Sequence, residues 1–410
     1  MGHAQNQALV PVVQLVHQVD KRLIPAKPLK SSFVKKADLS YYTTGENHDY
    51  LAEDLLGVTE AEETAFLRAA DTAYDILRDT ARTVAESDGL MKACGIPESA
   101  FPLIRWSIEN EWDDYLIGRF DFSGGFDGVA IKLIEFNADT CSLMPETTTL
   151  QPELLSRARQ KEGKNNLLAD LERRLSRIGQ SPDLPGTALL LADMGHDDDY
   201  HNAHVIAKAA KKAGWASAQH MLLERVTFDP DDAMMVDNGK GESIVYDVLF
   251  KFFPWDFAFL EEPALGELLT EMVMERRLKV LNPAWAMLLQ SKALLAMAWD
   301  RYPDHPLLLE TTLGQQSITA HQYVRKPYFG RMGENIALFQ GARYPTVETE
   351  GHYASGPMVY QAVAQFNEDE EEYRYQPSVY FTDRPSALVM RRQDDLIMDD
   401  DAEFIATYLA

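Results

Sequence analysis

The stretch "IKLIEFNADT", residues 131–140, sets the fold problem. Ile131, Leu133, Ile134 and Phe136 give it the apolar content of a buried strand, and Glu135, Asn137 and Asp139 then follow at alternate positions. Alternate residues of a strand share one face. If the strand runs on, it ends in a row of side-chain oxygens that must face a cation or a polar substrate. Upstream, "FSGGFDG" has hairpin composition, with Gly124-Gly125 followed by Asp127-Gly128. Folding back there sets Asp121 on a strand paired with the one that carries Glu135.

The rest of the chain reads as alternating layers. "VTEAEETAFLRAADTAYDILRDTARTVAE" opens on Thr59 with Glu62 three residues later, a capping box, and continues as a long amphipathic helix. "TALLLADMG" predicts a buried strand, "HDDDYHNAHVIAKAAKKAG" a helix ending at Gly214, and "IVYDVLFKFFPWDF" a further strand. That order predicts a small α/β layer. A helix is expected from about Pro283 to before Pro303, and antiparallel strands in "QYVRKPYFGRMGENIALFQG", "GPMVYQAVAQF", "PSVYFTD" and "SALVMRRQDDLIM". The acidic run "NEDEEEY" reads as a solvated hairpin tip. These shifts divide the chain into 1–185, with the long helix and the oxygen-bearing strand pair, 186–282, the α/β layer, and 283–410.

With 39 Lys and Arg against 64 Asp and Glu, the formal net charge is -25. Such a surface repels nucleic-acid phosphates and anionic lipid and attracts cations, polyamines and basic peptides among them. Two cysteines, Cys94 and Cys141, are too few for a disulfide framework. No apolar run approaches a membrane span, so a cytoplasmic location is expected, with neither nucleic acid nor membrane as partner.

Two patterns carry chemistry. Asp121, Glu135 and Asn137 are hard oxygen donors, suited to Mg²⁺ held together with substrate phosphates; the structural alternative is a polar strand end at the surface. "VRKPYFGRMGENI" puts a lysine on a strand before Gly330, Arg331 and Gly333, offering a cation and exposed N–H groups to phosphate oxygens, or else a plain turn.

In sequence order, "GRFD…IEFNADT…KFFPWDF…NPAWAMLLQSKALL…YVRKPYFGRMGENI…VYQ…VMRRQDDLIM" resembles the synthetase domain of glutathionylspermidine synthases and their stand-alone relatives without an amidase domain. The resemblance implies an α/β (α+β) ATP-grasp fold, residues 283–410 forming its nucleotide-binding region, with an N-terminal pre-ATP-grasp lobe. It implies an ATP-dependent carboxylate-amine ligase working through an acyl phosphate, with ATP and Mg²⁺ as cofactors and a peptide-like acid and a polyamine or other amine as substrates. The alternative is a nucleotide-binding protein without ligase turnover that acts through protein partners.

Residue by residue, the resemblance puts Arg119 on the γ-phosphate and acyl phosphate, and makes Asp121, Glu135 and Asn137 the metal ligands. Lys292 and Lys326 fall on the nucleotide phosphates, Gly330, Arg331 and Gly333 in a mobile loop closing over them, and Gln361 and Arg391 beside the nucleotide. Thr140, Cys141 and Ser142 fall where the acid substrate is held. Asp198 and Asp199 lie near the place of the amine, although acids there also suit a helix N-terminus.

Overall fold

The computed structural model describes residues 19–44, 47, 49–182, 184, 186–229, 234–237, 243–341 and 344–410. The strand Lys132–Asn137 forms, and the "FSGGFDG" turn folds it back antiparallel onto Gly118–Ser123 with Asp121 opposite Glu135 and Arg119 opposite Asn137. Gly125 turns at φ +94, where a Cβ would lie 2.1 Å from the Phe66 ring; only glycine lets the turn tuck under the long helix.

Alternation then separates two faces. Phe120 and Phe136 stack at 3.7 Å between centroids, and Tyr74 of the helix Glu60–Ala85 stacks on Phe381 at 4.2 Å. The helix begins at the expected capping box: the Thr59 hydroxyl accepts from the Glu62 N–H while the Glu62 carboxylate accepts from the Thr59 N–H. Phe66, Ala70, Ala73, Leu77, Ala81 and Val84 form its buried stripe. The opposite face of the strand pair is left to Arg119, Asp121, Glu135 and Asn137.

This pair is the edge of the largest sheet, an eight-stranded one that draws on both ends of the chain. Ser378 of Arg374–Phe381 pairs with Asp121, Arg374–Phe381 pairs with Pro385–Gln393, and that strand pairs with Glu403–Leu409. Leu51–Val58 then runs parallel to Glu403–Leu409. Strand pairing thus crosses between the expected spans 1–185 and 283–410.

The α/β layer is a four-stranded parallel sheet, Lys279–Leu281, Val248–Lys251, Ala188–Asp193 and Ser217–Leu222 in that order, with the helix Asp197–Lys212 as the crossover that joins its third and fourth strands. A five-stranded antiparallel sheet places Gln322–Pro327 between Met358–Ala362 and Ala337–Gln340. The helix expected after Pro283 is two helices, Ala286–Gln290 and Ala293–Arg301. Tertiary contacts break it: the Ser291 hydroxyl donates to Cys94 O at 2.7 Å, and the Lys292 N–H donates to Tyr328 O at 2.9 Å instead of continuing the helical ladder. Among the described residues no helix is long and apolar enough to cross a membrane.

Candidate active site

Lys292, at that break, and Lys326, on the strand Gln322–Pro327, converge on the polar face of the strand pair. Lys292 Nζ lies 3.2 Å from Glu135 Oε2, and Lys326 Nζ donates to Ile134 O at 3.2 Å. Arg119 binds both oxygens of Asp121, at 2.8 and 3.0 Å. The fourth cation is Arg391, which donates to Gln376 Oε1 at 3.2 Å. Its neighbour Arg392 points to the other face of the strand, pairing with Glu403 at 2.8 Å and stacking on Tyr373. Four cationic side chains thus gather around two carboxylates. Lys326 has no ion-pair partner among the described residues, and burial brings its ammonium down to about 8 against the pull of Glu135. Burial alone would raise the Glu135 carboxyl, but Lys292, Lys326 and Arg119 hold it at about 2.

The three expected metal ligands come together. Asn137 Nδ2 is 3.0 Å from Asp121 Oδ2 and 3.5 Å from Glu135 Oε1. All three offer hard oxygens, which fit Mg²⁺ once the Asn137 amide turns its oxygen inward. The set has only two acids, and among the described residues no group of three or more His, Cys, Asp or Glu is arranged to hold a metal. Phosphate oxygens and water would have to complete the coordination.

Asp139 does not join the row that its spacing proposed. The strand ends at Asn137, because Gln290 Oε1 captures the N–H groups of Ala138 and Asp139 at 2.8 and 3.0 Å. Asn282 holds the carbonyls of the same two residues at 3.1 and 3.0 Å. Asp139 is thereby turned into the core, where it meets Lys251 Nζ at 2.5 Å and the Trp255 N–H at 2.6 Å.

The segment beyond is fixed by the cation cluster. Arg119 donates to Ser142 O and Oγ at 3.1 and 3.3 Å, and the Tyr380 hydroxyl donates to Ser142 O. Thr140 is partly exposed; Cys141 is buried, its thiol pushed up to about 12 by that burial. Gln361 is buried on the strand Met358–Ala362 and donates to Thr311 Oγ1 at 3.2 Å and Ile134 O at 3.4 Å. Gly330 O accepts from Lys292 Nζ at 2.7 Å. Arg331 is turned away from the lysines onto Asp256, and Gly333 packs against Met398 and Asp399.

Asp198 and Asp199 lie in the first turn of the helix Asp197–Lys212, and Asp198, together with Glu146, is within the field of Arg119, whereas Asp199 adjoins Asp198 and Asp193. The Tyr42 hydroxyl donates to Asp198 Oδ1 at 3.1 Å, and the Tyr50 hydroxyl donates to Glu146 Oε1. Glu146 is fully buried and its Oε2 has no hydrogen-bond partner. Burial, then the Asp198 charge, pushes Glu146 up to about 8, while Arg119 pulls it down. Asp199 rises to about 8 through burial and the charges of Asp198 and Asp193. Sequence reasoning missed Glu146; its one signal is an isolated acid in the otherwise uncharged "TCSLMPETTTL".

The sequence pattern of the family described as glutathionylspermidine synthase preATP-grasp matches residues 21–410. The chain belongs to this family. It is 26% identical to a Haemophilus influenzae protein named "Putative acid-amine ligase" over 314 residues, 73% of this chain and 77% of the relative. It is 23% identical over 351 residues to the trypanothione synthetase of Crithidia fasciculata, and 22% over 325 residues to the bifunctional glutathionylspermidine synthetase/amidase of Escherichia coli. These matches cover 81% and 74% of the chain but only 53% and 51% of those relatives, so the chain spans about half their length. A glutathione synthetase-like effector from Globodera pallida, solved in apo form, superposes with a TM-score of 0.52 over 88% of this chain and 90% of that one at 10% identity, a likeness of fold.

Proposed function

We propose that this member of the family is an ATP-dependent ligase that joins a peptide-like carboxylic acid, glutathione-like in class, to a polyamine or other amine, releasing ADP and phosphate. The observation that carries the reading is the gathering of Arg119, Lys292, Lys326 and Arg391, of which only Arg119 and Lys292 have an ion-pair partner among the described residues, Asp121 and Glu135. That surplus of positive charge calls for a polyanion, and the carboxylates call for a cation beside it. The names of the relatives support the ligase class.

In this reading Asp121, Glu135 and Asn137 hold Mg²⁺, which would offset phosphate charge during transfer. Lys292 and Lys326 place the phosphates, with the loop at Gly330, Arg331 and Gly333 above them and Gln361 beside the base. Arg119 links the phosphoryl group to the acid, because its other nitrogen already holds Ser142 of the Thr140–Cys141–Ser142 segment. An acid oxygen attacks the γ-phosphorus and ADP leaves; Arg119 and Lys326 stabilise the charge that develops. The amine nitrogen then attacks the acyl carbon, phosphate leaves with the C–O bond electrons, and the nitrogen gives up a proton. Asp198, Asp199 and Glu146 form an acidic wall suited to hold the amine; a cationic amine brought beside Glu146 would draw its raised carboxyl into the ionised form, which can then take that proton.

The test is phosphate release from MgATP across peptides crossed with polyamines, with product masses recorded. A product mass equal to acid plus amine minus water, lost in Glu135→Gln, is expected. ATP binding without release or adduct on any pair would replace the ligase reading with a nucleotide-binding one.

A further inference from the structure

The loop after Lys326 is held by three parts of the chain remote from it in sequence. Lys292 Nζ binds Gly330 O at 2.7 Å, and a Cβ on Gly333, at φ +68, would come within 2.9 Å of Asp399 Cβ and Met398 O. Between these backbone contacts stands one that depends on charge. Arg331 donates to both oxygens of Asp256, at 2.6 and 2.7 Å, and to the Tyr353 hydroxyl at 3.1 Å. The Asp256 side chain is only 5% exposed.

Asp256 is in the first turn of the short helical segment that follows the strand Val248–Lys251 of the parallel sheet, where the preceding Trp255 N–H is bound by Asp139. That turn is therefore tied to the end of the oxygen-bearing strand. A two-pronged arginine-carboxylate pair fixes angle as well as distance, and removing one partner leaves the other buried and uncompensated. Beside the loop, Lys292 and Lys326 are 6% and 3% exposed.

We infer that Asp256 is a positioning residue: by holding Arg331 it keeps the Gly330–Gly333 loop seated over Lys292 in the free chain. The loop is thus set by protein contacts before phosphates arrive; the resemblance implies that it is mobile and closes over them, and leaves its state in the free chain open. A preset loop reduces the entropy lost when a ligand binds. The consequence for nucleotide rests on the function proposed above; the seating itself does not.

Hydrogen exchange of the free chain, followed by mass spectrometry over residues 328–336, tests this. Asp256→Asn and Arg331→Met should each speed exchange there by about tenfold or more, with the helix Glu60–Ala85 unchanged. Asp256→Glu, which keeps the carboxylate, should stay within about threefold of the native rate. Binding of ADP with magnesium chloride, measured by calorimetry, should weaken about tenfold in Asp256→Asn. Unchanged loop exchange in both charge-removing variants, or an equal rise in the long helix, overturns the inference. Faster loop exchange in a chain whose native form binds no ADP supports the seating role and removes the nucleotide reading instead.

Discussion

Replacing Lys326 by methionine should make the protein more stable and nearly inactive. The ammonium is 3% exposed and has one backbone acceptor, Ile134 O at 3.2 Å. Burial brings it from 10.5 down to about 8, a difference that corresponds to about 3 kcal/mol against the charged form in the folded chain. Methionine removes that penalty and forfeits one hydrogen bond of about 1 kcal/mol, leaving a net gain of about 2 kcal/mol. The sign with pH follows: below pH 8 both folded and unfolded lysine are protonated, so the gain is full, and it closes between about 8 and 10.5 as the folded chain loses its proton first. Turnover should fall about 10²- to 10³-fold, the effect of deleting one donor to a developing oxyanion. Urea midpoints of both chains at pH 7 and pH 10, with phosphate release from MgATP, read all of this. A variant that loses stability at pH 7, or whose gain is the same at pH 10, would show that Lys326 supports the fold and is not held at a cost for a polyanion.

Glu111, 5% exposed and 3.1 Å from Lys279, has its carboxyl raised by burial from 4.5 to about 7, with Lys279 opposing. Its favourable share of stability is complete below pH 4.5 and is lost as pH rises through about 7, so native stability relative to Glu111→Gln should drop about 2.5 kcal/mol from pH 5 to pH 8; parallel pH profiles in urea would refute it. Lys251→Met strands Asp139 and should cost about 3–5 kcal/mol in urea unfolding, most of it recovered in Lys251→Met/Asp139→Asn, whose amide oxygen can still accept the Trp255 N–H. A double variant no better than the single would mean that packing, not charge, dominates there. Glu146→Gln should raise the KM for spermidine about 10- to 100-fold while ADP binding is unchanged, and equal loss of both would remove Glu146 from the amine wall.

Local chemistry made some of this legible. The Thr59–Glu62 box and the double glycine of "FSGGFDG" each act within a few residues, so the helix start and the opposition of Asp121 to Glu135 follow from the sequence. Reading went astray where a distant group overrides a local preference. "AWAMLLQSKALLAMAW" has every propensity for one helix, yet Tyr328 O takes the Lys292 N–H that would continue it while Cys94 O anchors the Ser291 hydroxyl, and the break sets Lys292 beside Glu135. Asp139 has the spacing of a third ligand, yet Gln290 and Asn282 end the strand before it. The pairing of Leu51–Val58 with Glu403–Leu409 joins opposite ends of the chain and has no local signal at all.

The sign of the site is the deepest case of this. A chain of net charge -25 reads as one that attracts cations, and the proposed amine wall agrees with that reading. The proposed phosphate pocket does not, because Arg119, Lys292, Lys326 and Arg391 stand far apart in sequence and only the fold brings them together beside Asp121 and Glu135. A long-range field that repels ATP must then be overcome at short range, where burial lowers the local dielectric and strengthens each contact. Neutralising part of the nucleotide charge with Mg²⁺ serves both ends of that approach. This arrangement explains why Asp121 and Glu135 sit inside a cationic pocket: Arg119 and Lys292 occupy them in the free chain and are the groups that would turn to phosphate when a metal takes their place.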